Sequence, residues 1–329
     1  MQTNHRTVPK VILIALIWLS FGGVPPLFGD SSPARIAVLT PGLAYTPVHK
    51  GLQDGLALLG YKEGQNIIFI VEDTQESTAG LPQRADKLLA AKPDVLFTVA
   101  TAHSMAAKKA TAAVPIVFTW VGDPVGAGLV ASYACSQNNL TGVTSFMPTL
   151  SGKRMEVLLE LAPKARRLLT IVTLTENIAR SAFQQAEESA RKFGVQLVRR
   201  DVANRDDIMR VIQETRRGSV DAIYYISSVL MKANFDILVK KAKTDKIPLV
   251  VTEDSQVAAG ALFSYGADLH QVGMQAAAIV DKILKGVKPD KIVIQTPDKF
   301  HLSINVKTAQ EIGLKIPRGI LERADQLID

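Results

Sequence analysis

Cysteine is almost missing from this chain. Cys135 is the single one in 329 residues, so no intrachain disulfide can form and no cysteine-based metal site is available. A lone thiol of this kind reads as a small buried hydrophobe. The five histidines (His5, His49, His103, His270 and His301) show no H-E-x-x-H or related spacing, which argues against a zinc site. A phosphate-cradling G-x-x-x-x-G-K-[ST] loop is absent, and so is a G-x-S-x-G nucleophile elbow. Gly126 and Gly128 with Ala131 fit G-x-G-x-x-A in form. They follow Asp123-Pro124 on a later strand, however, and no acid stands about twenty residues on to hold a ribose. No cofactor and no metal are expected.

A strong excess of one charge is missing as well. The formal net charge is +7, from 38 basic and 31 acidic residues, and two of the positive charges, Arg6 and Lys10, precede an N-terminal apolar run. The remaining basic pairs, such as Arg166-Arg167 and Arg199-Arg200, are scattered, and aromatic residues are only 6% of the chain. Nucleic-acid binding needs a clustered basic face with stacking platforms, so no nucleic-acid partner is expected. The one long apolar run, residues 11–19, is shorter than the roughly 20 residues a membrane-spanning helix needs. With Arg6 and Lys10 before it and Gly22, Gly23, Pro25 and Pro26 after it, residues 1–30 read as an export signal or an N-terminal anchor. No cysteine follows the run to carry a lipid, so the expected location is periplasmic and free.

What the chain does have is an internal echo. Residues 114–120 open with Pro115 and continue as an apolar, β-rich run, Ile116-Val117-Phe118-Thr119-Trp120, which then breaks at Gly122-Asp123-Pro124. Such runs suit strands buried on both faces. Ile247-Pro248-Leu249-Val250-Val251-Thr252 repeats the pattern, and Glu253-Asp254-Ser255-Gln256 follows as an acidic, small-residue loop. The preceding strands also match, Asp94-Val95-Leu96-Phe97-Thr98 against Asp221-Ala222-Ile223-Tyr224-Tyr225.

Between these landmarks, helical periodicities over 48–59, 80–91 and 102–111 alternate with strands at 35–40, 66–71, 94–99 and 116–120. The series restarts with strands at 168–173, 195–198, 221–226 and 248–252 and helices at 178–193, 206–217 and 230–242. A long helix at 269–285 and strands at 291–296 and 301–306 complete it. This order predicts an α/β protein of two Rossmann-like lobes with parallel sheets. The expected lobes are 34–144 plus 265–289 and 145–264 plus 290–329, joined by a multi-strand hinge.

In open α/β sheets, ligands sit outside the carboxyl ends of the strands. The polar and aromatic residues expected there are Tyr45, Thr46, Thr101, Ser104, Trp120 and Asp123 in the first half. In the second half they are Asn177, Ser227, Ser228, Glu253 and Asp254. Helix starts after Thr101 and Ser228 would hold a carboxylate, and Asp123, Glu253 or Asp254 an ammonium. Tyr45, Trp120, Phe263 and Tyr265 would supply walls. Each also has a plainer reading: Thr101, Asn177 and Ser228 as helix caps, Asp123 as a turn residue before Pro124, and Trp120 as core.

Several short segments together resemble one family. They are Thr46-Pro47-Val48-His49-Lys50-Gly51-Leu52, Leu59-Gly60-Tyr61, Pro115-Ile116-Val117-Phe118, Val121-Gly122-Asp123-Pro124-Val125-Gly126, Asn139-Leu140-Thr141-Gly142-Val143 and residues 273–278. The family is that of ABC-transporter substrate-binding proteins that includes tryptophan-binding members, with the type I periplasmic-binding-protein fold. The resemblance implies a non-enzymatic exported protein. Such a protein catches a small solute, an amino acid or similar and aromatic in some members, between closing lobes and delivers it to an ABC permease and its ATPase. A ligand-sensing receptor for a membrane signalling partner is the alternative use of the same fold.

Overall fold

The computed structural model describes residues 32–329 apart from 43–44, 76, 146–149, 174–175 and the side chains of Asn177 and Ile178. The expected export segment, residues 1–30, lies outside the described residues. The first half runs β1 (Ala34–Thr40), α1 (Thr46–Leu58), β2 (Ile67–Asp73), α2 (Leu81–Ala90), β3 (Val95–Val99), α3 (Thr101–Ala110), β4 (Ile116–Val121) and β5 (Leu140–Thr144). The second continues with α4 (Leu150–Leu161), β6 (Arg167–Thr173), α5 (Asn177–Phe193), β7 (Gln196–Val202), α6 (Arg205–Glu214), β8 (Ala222–Tyr224), α7 (Val229–Ala233), α8 (Phe235–Asp245), β9 (Leu249–Val251), α9 (Asp254–Ala258) and β10 (Phe263–Ala267). The chain closes with α10 (Leu269–Leu284), β11 (Phe300–Asn305), α11 (Val306–Ile312), α12 (Arg318–Arg323) and β12 (Gln326–Ile328).

The first sheet is parallel, in the order β2-β1-β3-β4-β5. The second has the order β12-β11-β10-β9-β8-β6-β7. Within it β7-β6-β8-β9-β10 repeats the first sheet's order strand for strand, all parallel. The repeated sequences therefore occupy equivalent places: residues 116–121 and 249–251 are the fourth strand of each half, and the preceding matches are the third. β11 adds antiparallel to β10, and β12 parallel to β11.

Strand alternation builds the layers. In β1, Ile36 and Val38 face a core shared with α1 and α10, whereas Ala37 and Leu39 face one shared with α2 and α3, as a period of two requires. In β6, Leu168 and Val172 join the core containing α4 and α5 residues, and Leu169 and Ile171 join that of α6 and α8. Both sheets are thus covered on both faces, which is why their strands are continuous apolar runs.

Several elements depart from expectation. Residues 140–144, for which no strand was expected, form β5, paired to β4 as the sheet edge. The helix expected over 230–242 is two helices that meet at Asn234, whose side-chain amide donates to Leu230 O at 2.9 Å. The strand expected at 291–296 is a 3-10 turn (Pro289–Lys291) followed by a single bridge from Val143 to Gln295. Its hydrogen bonds are divided, with Ile294 N–H on Tyr133 O and Gln295 N–H on Gly142 O. The acidic loop after Thr252 is the short helix α9. It is closed by a capping box between Glu253 and Gln256, which the usual Ser/Thr-first template does not find.

The chain changes sheet after β5, again after β10, and again after Thr296. Phe263–Ala267 is a strand of the second sheet, while Ile292 and Ile294 pack into the two cores of the first. Among the described residues, no helix is long and apolar enough to cross a membrane.

Candidate functional site

Two strand ends of the first sheet carry unusual backbone. Ala100, after β3, has φ 72° and ψ 157°, and Trp120, one residue before the end of β4, has φ 56°. Residues with a Cβ rarely occupy these regions, and such strain costs on the order of 1–3 kcal/mol per residue. At Trp120 the register slips between Thr119 and Val121. The bulge turns the indole out of the strand's core pattern, so it is half-buried while Phe118 and Val121 are fully buried. Tyr45 stands at the head of α1, and its ring meets that of Trp120 edge-on with centroids 6.3 Å apart.

These rings form one wall of a cavity of about 310 Å³. The opposite wall comes from the second sheet: Thr252, Glu253, Asp254 and Ser255 after β9, Ala267 at the end of β10, His301 on β11, and Gln326 on β12. Asp268, Leu269 and His270, at the head of α10, close one side. The volume is at the small end of the range of ligand pockets, and the mix of apolar walls with a few convergent polar groups is typical of them. Two more open depressions, lined in part by residues 162–165 and 217–221 and by residues 137–139 and 286–290, do not touch this cavity.

The polar groups at the cavity are held in place. Asp254 accepts from Ser264 Oγ at 2.6 Å and is paired with His301 Nδ1 at 2.8 Å. Burial works against the Asp254 charge, but the hydrogen bonds from His301 and Ser264 outweigh it and keep the carboxyl below its usual range. The same bond raises His301 above the ordinary imidazole value, against the effect of its own burial. Asp268 caps α10, accepting from Gln271 N–H at 3.1 Å, and His270 Nε2 pairs with Asp54 on α1 at 2.9 Å. Lys232, on α7, reaches across to Tyr45, donating to its hydroxyl at 3.3 Å and lying 5.4 Å from the ring centroid.

Of the residues expected at the site, the structure brings Tyr45, Trp120, Glu253 and Asp254 together around the cavity. Thr46 is exposed in the first turn of α1. Thr101 is the first residue of α3 and not its cap, because Ala100 occupies the cap position with no side-chain bond. Ser104 is fully buried and spends its hydroxyl on Thr98 and on Ala100 O. The Asp123 carboxylate accepts from Gly126 N–H at 2.8 Å inside its own turn. Ser228 caps α7 and bonds Thr173 at 3.0 Å, and Ser227 is half-buried beside it. Asn177 opens α5, and its side chain lies outside the described residues. Phe263, expected as a wall, is fully buried in a core, and Tyr265 stacks on Phe300 with centroids 6.2 Å apart.

Sequence reasoning missed Lys232, Asp268, His270, His301 and Gln326. Asp268 carried a readable signal, an N-cap acid just before a strongly periodic helix. His301 carried none, since only the antiparallel pairing of β11 with β10 places it at the cavity. Among the described residues no cluster of His, Cys, Asp or Glu could hold a metal ion.

Two lobes, each a mostly parallel sheet covered on both faces, with a cavity lined from the strand ends of both, define a solute-binding protein of the type I periplasmic-binding-protein fold. The chain belongs to the family of ABC transporter substrate binding proteins, whose model matches residues 35–328. A tyrosine-binding protein from Clostridioides difficile (strain R20291) is 27% identical over 266 residues, covering 81% of this chain and 76% of the relative. An ABC domain from Streptococcus pneumonia, solved in complex with L-Trp, matches with a TM-score of 0.77 at 26% identity, covering 90% of this chain and 100% of that one. A ligand-free, open substrate binding protein with adhesive properties from Clostridium difficile matches with a TM-score of 0.75 at 25% identity, covering 90% and 99% of the two chains.

Proposed function

We propose that the protein is the extracytoplasmic solute-binding component of an ABC importer and that it captures an amino acid with an aromatic side chain between its lobes. The observation that carries this reading is the cavity itself. Tyr45 and Trp120 face Glu253, Asp254 and Asp268 across it. Aromatic walls favour a flat apolar body, and carboxylates favour an ammonium. Relatives that bind tyrosine and L-Trp support the same ligand class.

In this reading residues 1–30 direct export to the periplasm. The lobes close on the ligand about the strands that cross between them, and closure is a population shift toward the state in which both walls touch the solute. The closed form then docks on a permease and its ATPase. A thermal-shift screen of the purified protein against the amino acids tests the proposal. A ligand at a hundred times its dissociation constant stabilises by about 2.7 kcal/mol. Stabilisation by L-tyrosine or L-tryptophan and not by acidic or small amino acids is the expected result. Silence toward every amino acid would refute the ligand class.

A further inference from the structure

His301 sits where no residue of the fold's repeated halves does. It is on β11, the strand added antiparallel beside β10, opposite Gly266. Its Nδ1 is engaged by Asp254, and its side chain is only 22% exposed. An ionised carboxylate can only accept, so Nδ1 carries the proton in that bond. The other ring nitrogen, Nε2, has no protein hydrogen-bond partner among the described residues and is left for the cavity that His301 lines.

The charged groups facing this ring come from four places. Asp254 is on α9, Asp325 precedes β12 and accepts from Leu302 N–H, Asp268 heads α10, and Glu253 and His270 complete the cavity rim. Lys232 stands 3.8 Å from Glu253 Oε2, and the carboxylates of Glu253, Asp254 and Asp268 outnumber it, which suits a further cation. A protonated His301 would be the cationic counterweight on the same wall. The combination matches a zwitterion better than a bare amine.

We propose that His301, positioned by Asp254, is a specificity-determining residue that grips the ligand's carboxylate through Nε2–H when protonated and releases it when neutral. The proposal rests on the reading of the cavity as an amino-acid site. Ligand affinity then follows the protonation of His301. A bond from an imidazolium to a carboxylate is charge-assisted and is lost when Nε2 becomes a bare acceptor. Amines that lack the carboxylate gain nothing from the protonated ring and are repelled by it.

The test is calorimetric titration of the full-length protein with L-tryptophan and with tryptamine between pH 6 and pH 8.5, over which the tryptophan ammonium stays charged. For L-tryptophan the affinity should fall by about tenfold as pH rises across this range. For tryptamine it should stay level or rise. His301→Gln should flatten the tryptophan profile at the weaker level, and His270→Gln should leave the slope in place. Asp254→Asn, which keeps the cavity's shape, should move the midpoint of the profile to lower pH and so reads the same dyad if the His301 variant folds poorly. A slope that survives in His301→Gln, a slope abolished by His270→Gln, or a midpoint unmoved in Asp254→Asn overturns the proposal while leaving the amino-acid site standing. Absence of binding by either compound at every pH overturns the site reading and this inference with it.

Discussion

Lys232 reaches from the second half of the chain to Tyr45 in the first, its ammonium 3.3 Å from the phenol oxygen and 5.4 Å from the ring centroid. The same nitrogen stands 3.8 Å from Glu253 Oε2. One cation therefore ties an aromatic wall of the cavity to its acidic wall. The side chain is 48% exposed, so the tie is worth only about 0.5–1 kcal/mol. That is still a shift of about two- to fivefold in the balance between open and closed forms. Lys232→Met should therefore increase the radius of gyration of the ligand-free protein in small-angle scattering, and more so at low salt. An unchanged radius would show that the contact does not hold the lobes together.

Trp120 combines a left-handed backbone with a ring at the cavity. The two properties can be separated. Trp120→Ala removes the ring and keeps the unfavourable φ. Trp120→Gly removes the ring and relieves the backbone by roughly 1 kcal/mol. Both should weaken binding of an aromatic amino acid by about tenfold, since an aromatic pair is worth about 0.5–1.5 kcal/mol beyond its area. The glycine variant should melt above the alanine variant. Equal affinities for wild type and both variants would return Trp120 to a packing role.

Much of the architecture was legible because it rests on local pattern. The Pro115 and Pro248 repeats mark the fourth strand of each half. The matching aspartates ahead of the third strands do the same work twice: Asp94 accepts from Arg35 N–H at 2.7 Å, and Asp221 accepts from Arg167 N–H at 2.8 Å. Each carboxylate ties the start of the third strand to the start of the first. The site was only half legible. Hydroxyl residues at strand ends attract attention as ligand donors, yet Ser104 and Ser228 are consumed by the backbone and side chains around them. The residues that do face the cavity from β11 and β12 arrive through pairings far apart in sequence. No local periodicity reports them.

Helix α1 carries Tyr45 at its head, and α10 carries Asp268 and His270 at its own, so the packing of these two helices sets the distance between cavity walls. That packing depends on missing side chains. A Cβ at Gly51 would collide with His270 O, and one at Gly273 with Val48 O. The obstacles are backbone, so the helices must move apart. Gly273→Ala should cost about 1–3 kcal/mol of stability, read as a lower urea midpoint at unchanged slope, and should also weaken ligand binding. Gly286, which has no neighbour within reach of a Cβ, has φ 93° and tests backbone freedom instead. Its alanine variant should lower stability while leaving affinity intact. A Gly273→Ala protein as stable as wild type would show that the helices have slack.

His103, in the first turn of α3, is buried and bonded through Nε2 to Thr74 Oγ1 at 2.9 Å, while its Nδ1 is buried without a partner among the described residues. Burial drives the imidazole down to about 4, against a modest opposing pull from Asp73. The sign follows from linkage. In the unfolded chain the ring titrates near 6.5, so between about pH 6.5 and pH 4 the unfolded state holds a proton that the folded state refuses. Stability therefore falls as pH drops through that window and is fully present above it. The loss attributable to His103 between pH 8 and pH 5 is about 2 kcal/mol. Urea unfolding of wild type and His103→Gln at the two pH values isolates it. The glutamine variant keeps a polar group beside Thr74 and has nothing to titrate, so its stability should decline less on acidification by about that amount. Parallel declines in the two proteins would mean that acid sensitivity arises elsewhere, and that His103 is not held neutral by the fold.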